Sequence, residues 1–236
     1  IVSGNFKRME GRSIYDYYTR SFYGVDPENG KVLYKGINEG SYSDTNPNIK
    51  VIGTDTLTYD QSLAKLDYVG KSALPKAYGS LANNFNYKGF DFNFVFMYST
   101  GGYAMDGTYS TYMRTFTQDG SPLHRDLLNA WKKPGDITNV PRLDANTNAA
   151  AGAASDRFLT RSDYLSLSSA SLSYRLPKSI VSRLSLKNAR VFVSGENLWF
   201  ITKRKGFNTL SSLTGAAATG SYNFARTFNF GVNLSL

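Results

Sequence analysis

The sequence predicts an all-β protein of antiparallel strands, and three observations carry that prediction. Apolar and small or polar residues alternate with a period of two over several stretches. Helical periodicity is scarce. Short turns and long connections follow one another along the chain, as they do when every second link between strands is a tight one.

Taken in order, Val2 to Arg8 reads as the tail of a strand, and Met9 to Ser13 is a short turn. Ile14 to Tyr23 is a strand with aromatics on both faces, followed by the long connection Gly24 to Lys76. Ala77 to Tyr87 is joined through Lys88-Gly89, a two-residue hairpin signal, to the strand that begins at Phe90. There Phe90, Phe92, Phe94, Phe96 and Tyr98 alternate with Asp91, Asn93, Val95, Met97 and Ser99. Gly101 to Asp163 is the longest connection; its one helical-looking stretch, Ser121 to Trp131, ends at Pro134-Gly135. Tyr164 to Leu176 is a Ser-rich strand stopped by Pro177, and Pro177 to Lys187 is a moderate link. Asn188 to Ile201 carries Val191, Phe192, Val193, Leu198, Trp199 and Phe200, and Phe207 to Ser221 is a Gly-, Ser-, Thr- and Ala-rich connection. In the closing strand Tyr222, Phe224, Phe228, Phe230, Val232, Leu234 and Leu236 share a face interrupted only by Arg226. Opposite them stand Asn223, Ala225, Thr227, Asn229, Gly231, Asn233 and Ser235, all uncharged. The reading is six full strands and part of a seventh.

Alternation alone fits two architectures. A soluble β-sandwich buries one face of each strand. A transmembrane barrel turns one face to lipid and the other to a wet lumen. The outer face of a soluble strand usually carries Lys and Glu, whereas the closing strand offers Asn, Thr, Gly and Ser opposite its aromatics. Outer-membrane barrels also send their short turns to one end and their long loops to the other. Both features favour the barrel, with Phe90, Phe92, Phe94, Phe96, Phe228, Phe230, Val232 and Leu234 facing lipid. A membrane strand needs about 9–11 residues and a single-chain bacterial barrel at least about 8 strands, so six or seven strands cannot close. Further strands are therefore expected from an upstream part of the same gene product, since an open edge does not sit in lipid.

Composition excludes several chemistries. The chain has 236 residues and no Cys, which removes disulfides, thiol nucleophiles and Cys-ligated metals. Its one His, His124, leaves little for a catalytic triad or a His-based metal site, and no nucleophile motif accompanies it. No run is long and apolar enough for a membrane helix. The phosphate-cradling glycine motifs are missing, and the net charge of +9 comes without an ordered basic and aromatic face for nucleic acid. Asp44, Asn46, Asn48, Asp55 and Asp60 do not match an EF-hand and read as a surface loop. No metal and no cofactor are expected.

Several segments carry a family resemblance. They are Gly11-Arg12-Ser13-Ile14-Tyr15, then Gly24-Val25-Asp26-Pro27-Glu28-Asn29-Gly30, then Val69-Gly70-Lys71-Ser72-Ala73-Leu74-Pro75. Tyr87-Lys88-Gly89-Phe90-Asp91 follows, with Trp131-Lys132-Lys133-Pro134-Gly135-Asp136 and Val140-Pro141-Arg142. The series continues through Tyr164-Leu165, Leu172-Ser173-Tyr174-Arg175-Leu176-Pro177 and Gly195-Glu196-Asn197-Leu198 to the closing strand. In order and spacing this resembles the C-terminal barrel part of SusC/RagA-type TonB-dependent outer-membrane transporters of Bacteroidota. Leu236 stands where that pattern favours an aromatic.

The resemblance implies that residues 1–236 form about six C-terminal strands of a 22-stranded barrel with long extracellular loops. It places the plug domain and the N-terminal strands outside this chain. It implies active import of glycan fragments or peptides, with a SusD-like lipoprotein over the mouth, TonB engaged through the absent N-terminal part, and outer-membrane lipid and lipopolysaccharide around the wall. A secreted β-sandwich that binds glycans, a passive porin and an outer-membrane hydrolase are the competing readings. Candidate substrate or lid contacts are Trp131, Asp136 and Arg142 in the longest loop, and Tyr103, Tyr109 and Tyr112 just beyond the Phe strand. The competing roles for these residues are loop architecture and an interfacial aromatic girdle. Lys203, Arg204 and Lys205 are a solvated charge run, or a contact for lipopolysaccharide phosphates or the lid.

Overall fold

The computed structural model describes residues 1–114, 122–143, 154–204, 206–207 and 224–235. The parts of the expected connections that fall on 115–121, 144–153 and 208–221, together with Lys205, Tyr222, Asn223 and Leu236, lie outside the described residues.

In chain order the elements begin with β1 (Val2–Ser3), β2 (Phe6–Lys7), β3 (Asp16–Val25), β4 (Val32–Lys35), β5 (Ile49–Ile52), β6 (Asp55–Thr58) and β7 (Leu66–Ser72). Next come β8 (Ala77–Tyr87), β9 (Phe90–Thr100), β10 (Tyr103–Met105), α1 (Gly107–Tyr112) and β11 (Leu159–Arg161). Last are β12 (Tyr164–Arg175), α2 (Lys178–Val181), β13 (Asn188–Thr202) and β14 (Thr227–Ser235). The chain divides into two compact units. The first holds Ile1–Leu74 and Tyr103–Thr160; the second holds Pro75–Gly102 and the described strands that follow Arg161.

The second unit is a five-stranded antiparallel sheet in the order β14-β13-β12-β9-β8. Its strands run 9 to 15 residues, long enough to cross a bilayer when tilted. The β8–β9 hairpin closes through Lys88 at φ 45° and Gly89 at φ 87°, both left-handed, as a tight primed turn requires. One bulge interrupts the ladder: the register shifts between Leu167 and Ser169, where Asn197-Leu198 on β13 faces Ser168 and Asn197 adopts φ 53°. Gly195 beside it admits the fold of that bulge, because a Cβ there would stand 2.5 Å from Leu198 Cδ2.

The first unit is built differently, from mostly short strands around small cores. Its main sheet runs β1-β2-β3-β4-β6-β5, with β7 paired to β3. Val32, Tyr34 and Ala64 form one cluster with Phe22 against it; Met113, Leu127, Ala130, Val140 and Phe158 form another. Tyr17 and Tyr34 are each only 1% exposed.

Four expectations are corrected here. The aromatic strand Ile14 to Tyr23 forms, as β3, but it pairs with β2, β4 and β7 and does not join the long-strand sheet, which therefore has five strands among the described residues. The reason lies in its faces: Tyr17 and Thr19 are buried in a local core, so this strand carries no lipid-type face. Val2 to Arg8 is not the end of a long strand but a tiny hairpin of β1 and β2, turned at Gly4 with φ 59°. Of the helical stretch, the described residues hold a 3₁₀ turn, Arg125–Asn129, whose start His124 caps by accepting from the Asp126 N–H through Nδ1 at 3.1 Å. The connections read as loops in fact hold β4 to β7, β10, β11 and α1, whose runs are too short to show periodicity.

Candidate functional site

The strand register sorts the second unit's side chains onto two faces, because directly paired residues share a face and neighbours alternate. One rung joins Tyr87, Phe90, Tyr174, Val191 and Val232. The next rungs on that face add Phe85, Phe92, Leu172, Val193 and Phe230, then Asn83, Phe94, Ala170, Gly195 and Phe228. Beyond the bulge follow Leu81, Phe96, Leu167 and Trp199, then Gly79, Tyr98, Leu165 and Ile201. All eight residues expected to face lipid lie on this one face, with Leu234 on the rung of Ala189. The face is continuous and uncovered, Phe230 being 79% exposed. Asn83 is its one polar amide. The rings pack along it: Phe85 with Phe92 and Phe94, Phe94 with Phe96, and Phe90 with Tyr174 at 4.4 Å.

The opposite face is mainly small and polar. Asp91, Ser173, Phe192 and Gly231 share one rung across it, and Arg175, Arg190 and Asn233 share the next. Arg190 donates through Nε to Ser173 Oγ at 2.8 Å, Ser173 donates to Asp91 Oδ2 at 3.4 Å, and Arg190 Nη2 stands 3.9 Å from the same carboxylate. Asn93 donates to Ser171 at 3.3 Å one rung away. Phe192 is an exception with a local explanation: its ring covers Gly231, where a Cβ would lie 2.5 Å from it. The ends of the sheet also differ. The β8–β9 turn and the Pro177 to Lys187 link lie at one end, while the connections after Thr100 and Thr202 leave from the other.

In the first unit, the residues expected around Trp131 are brought together by a turn. Asp26-Pro27-Glu28-Asn29-Gly30 folds back on itself, with Gly30 N–H donating to Asp26 O at 2.8 Å and Asp26 N–H to Lys31 O at 2.9 Å. The turn then offers its carbonyls as a mould. Pro27 O accepts from Trp131 Nε1 at 3.0 Å and from the Gly135 N–H at 2.8 Å; Asn29 O accepts from Arg142 Nη1 at 3.2 Å; Gly30 O accepts from the Arg142 N–H at 2.9 Å. Gly30 has φ 70°, and a Cβ on it would lie 2.5 Å from the Trp131 ring and 2.9 Å from Arg142 Cβ. Asp136 closes the adjacent loop by accepting from the N–H groups of Lys132 and Lys133, which hold its carboxyl below the usual range. Trp131, Lys132 and Arg142 with Leu127, Leu128, Ala130 and Leu143 line an open cleft of about 820 Å³, its rim marked by Leu128 at 78% exposure.

What holds that turn was not legible in the sequence. The Asp26 carboxylate is fully buried, and it accepts from Lys50 Nζ at 2.8 Å, Asn29 Nδ2 at 3.3 Å, the Glu28 N–H at 2.9 Å and the Tyr59 hydroxyl. Burial pushes this carboxyl up, but the hydrogen bonds from Lys50, Tyr59 and Glu28 outweigh it and hold it below the usual range. Lys50 also reaches Glu28 at 2.7 Å, and these two carboxylates raise its ammonium against the desolvation that lowers it. No spacing rule links the Asp26 to Gly30 segment to Lys50 or Tyr59.

The three tyrosines do not gather at this cleft as a set. Tyr109 packs edge-on to Phe158 and His124, donates to Asp126 Oδ2 at 2.9 Å, and takes the cap from Asp106, whose side chain accepts its N–H. Tyr112 accepts through its carbonyl from the His124 N–H. Tyr103 lies beneath Lys71 Nζ, 5.7 Å from its ring centroid, and its carbonyl accepts from Tyr17. His124 is a cap and a packing partner. The Asp44 to Asp60 acids are engaged locally: Asp55 with Lys35 at 3.0 Å, Asp60 with the Ser62 N–H and hydroxyl, and Asp44 with Tyr42.

With this geometry in view, known proteins offer a clear likeness. The chain is 28% identical over 162 residues to TonB-dependent receptor P3 of Formosa agariphila, covering 64% of this chain and 15% of that protein. It is 22% identical to TonB-dependent receptor P26 of the same organism over its whole length, against 24% of that protein. Among solved structures, it superposes on the RagAB peptide transporter with a TM-score of 0.71 at 23% identity, covering 93% of this chain and 22% of that one. The closed-closed state of the RagAB peptide importer gives 0.72. No protein-family model matches. The chain thus spans under a quarter of the length of the relatives it matches, and its resemblance to SusC/RagA-type TonB-dependent transporters is carried by sequence and by fold alike.

Proposed function

We propose that this chain is the C-terminal part of the barrel wall of a SusC/RagA-like outer-membrane importer, and that the Trp131 cleft is one of its loop-borne contacts for substrate or lid. The observation that carries the reading is the division of the five-stranded sheet into an uncovered apolar face and a polar one, with the short turns at one end. At about 3.3 Å per residue the rise from Phe90 to Tyr98 is roughly 26 Å. With strands tilted by about 40° this spans roughly 20 Å of the membrane normal, close to the apolar band of outer-membrane barrels. Tyr87 and Tyr174 mark one border of that band, and Tyr98 and Trp199 the other, as interfacial girdles do. A β-sandwich would have to bury this face against a second sheet.

The outer edges of β8 and β14, unpaired among the described residues, take neighbouring strands from the remainder of the barrel, since unpaired N–H and C=O groups are costly in lipid. The polar face lines the lumen, where the plug sits. Import is of glycan fragments or peptides, energised through TonB and capped by a SusD-like lipoprotein. The named relatives are receptors and transporters, which speaks at a general level for transport over catalysis.

Native mass spectrometry of detergent-solubilised outer membranes tests this. The expected result is the present sequence in a complex with the plug-bearing polypeptide and a surface lipoprotein. A soluble, monodisperse protein obtained without detergent would overturn it.

A further inference from the structure

The short-turn end of the second unit carries an uneven charge. Lys88, Lys178, Arg183 and Lys187 are all exposed there, and none of them has an ion-pair partner among the described residues. Among the described residues the one acid at that end, Asp91, is engaged by Ser173 and Arg190 on the polar face. The four cations also stand in a particular place. Lys88 sits in the β8–β9 turn with its ammonium 5.2 Å from the centre of the Tyr87 ring, and Tyr87 is an exposed member of the apolar face. Lys187 donates its N–H to Ser235 O at 2.7 Å, and alternation from Ala189 sets it on that same face. Lys178 and Arg183 flank Ile180, which is exposed, while Val181 anchors the short helical link by its burial. Cations therefore continue the apolar band just past its Tyr87 and Tyr174 border, with one exposed aliphatic residue among them.

We propose that this end is a basic rim that binds the phosphates of anionic phospholipids in the leaflet it meets. The inference rests on the barrel reading above. Charge complementarity and continuity with the lipid-facing band both favour a lipid headgroup as occupant. Lys and Arg stems lie along apolar surface while their heads reach the interface, which is the arrangement of Lys88 over Tyr87. A single basic residue at an anionic membrane surface is worth about fivefold in affinity.

The test uses the full outer-membrane protein that carries this chain, reconstituted into vesicles of phosphatidylethanolamine with one-fifth phosphatidylglycerol. After mild detergent extraction, mass spectrometry reads the retained lipid. The expected result is phosphatidylglycerol enriched about fivefold or more over the vesicle mixture, falling towards parity in a variant with Lys88→Gln, Lys178→Gln, Arg183→Gln and Lys187→Gln. Lys88→Gln alone, at an exposed turn position, is expected to lower the enrichment and keeps the test open if the fourfold variant does not assemble. No enrichment in the parent protein, enrichment unchanged in the variants, or retention of added lipopolysaccharide in place of phosphatidylglycerol would overturn the rim. Failure of the parent protein to insert into the vesicles would instead overturn the barrel reading.

Discussion

The two units of this chain spend their apolar residues in opposite ways. In the first, Tyr17, Tyr34, Leu57, Met113 and Phe158 are buried, most strands are short, and charged groups such as Asp26 are held inside by several donors. In the second, strands are long and regular, and the largest side chains, Phe228, Phe230, Val232 and Leu234 among them, stand uncovered. A unit that folds in water must close its core on itself and satisfy every polar group it buries. A sheet whose solvent is lipid can leave its rings outside and keep its polar groups within. The difference teaches that exposure of apolar surface has meaning only once the solvent on that side is known.

The largest test of the comparison is a charge placed on each face of one strand. Phe94→Lys puts a cation near the middle of the apolar band and is expected to destabilise insertion by about 2–4 kcal/mol. The measurement is the heat-modifiable barrel band in outer-membrane fractions, which should fall sharply. Asn93→Lys, one residue away on the polar face, should leave that band nearly unchanged. Equal behaviour of the two variants would break the face assignment.

A smaller effect is expected in the first unit. Gly30→Ala adds a Cβ 2.5 Å from the Trp131 ring at a left-handed backbone position, which should cost about 1–3 kcal/mol locally. Limited proteolysis should then cut within residues 26–36 or 131–143 while the heat-modifiable band persists. Loss of both together would show that the two units do not respond independently.

The smallest is a pH effect at the Asp26 clasp. Its carboxyl is held below the usual value, so the clasp contributes stability above the unfolded carboxyl's pKa of about 3.9, and loses it as pH falls from there through the lowered folded value. Protease resistance of the 26–36 segment should decline as pH falls below about 4. Asp26→Asn should lower it at neutral pH and flatten the acid dependence. A variant that kept the full acid transition would remove Asp26 as its cause.

Much of the second unit could be read from residues alone, because its rule is local. The alternation from Phe90 to Tyr98 and from Thr227 to Ser235 sets each side chain's face, and Lys88-Gly89 sets the turn between β8 and β9. The first unit obeyed no such rule. Ile14 to Tyr23 read as one more wall strand since aromatics mark both buried and lipid-facing strands; only its pairing with β4 and β7 separated the two cases. The Trp131 segment was expected as a contact in the longest loop, yet its shape depends on carbonyls of Pro27, Asn29 and Gly30, far away in sequence.

By itself, then, the sequence determined the class of the fold, the extents of β8, β12 and β13 to within a residue, the shared face of Phe90 to Tyr98 and the turn at Lys88-Gly89. Each of these follows from the two-residue period of an extended chain and the torsional freedom of a few turn residues. Tertiary structure alone decided which strands share a sheet, that two connections read as loops fold into a unit with its own cores, and that Asp26, Lys50 and Tyr59 meet. Those outcomes depend on which distant groups can satisfy one another's hydrogen bonds and fill one another's space, and such pairings leave no periodic trace along the chain.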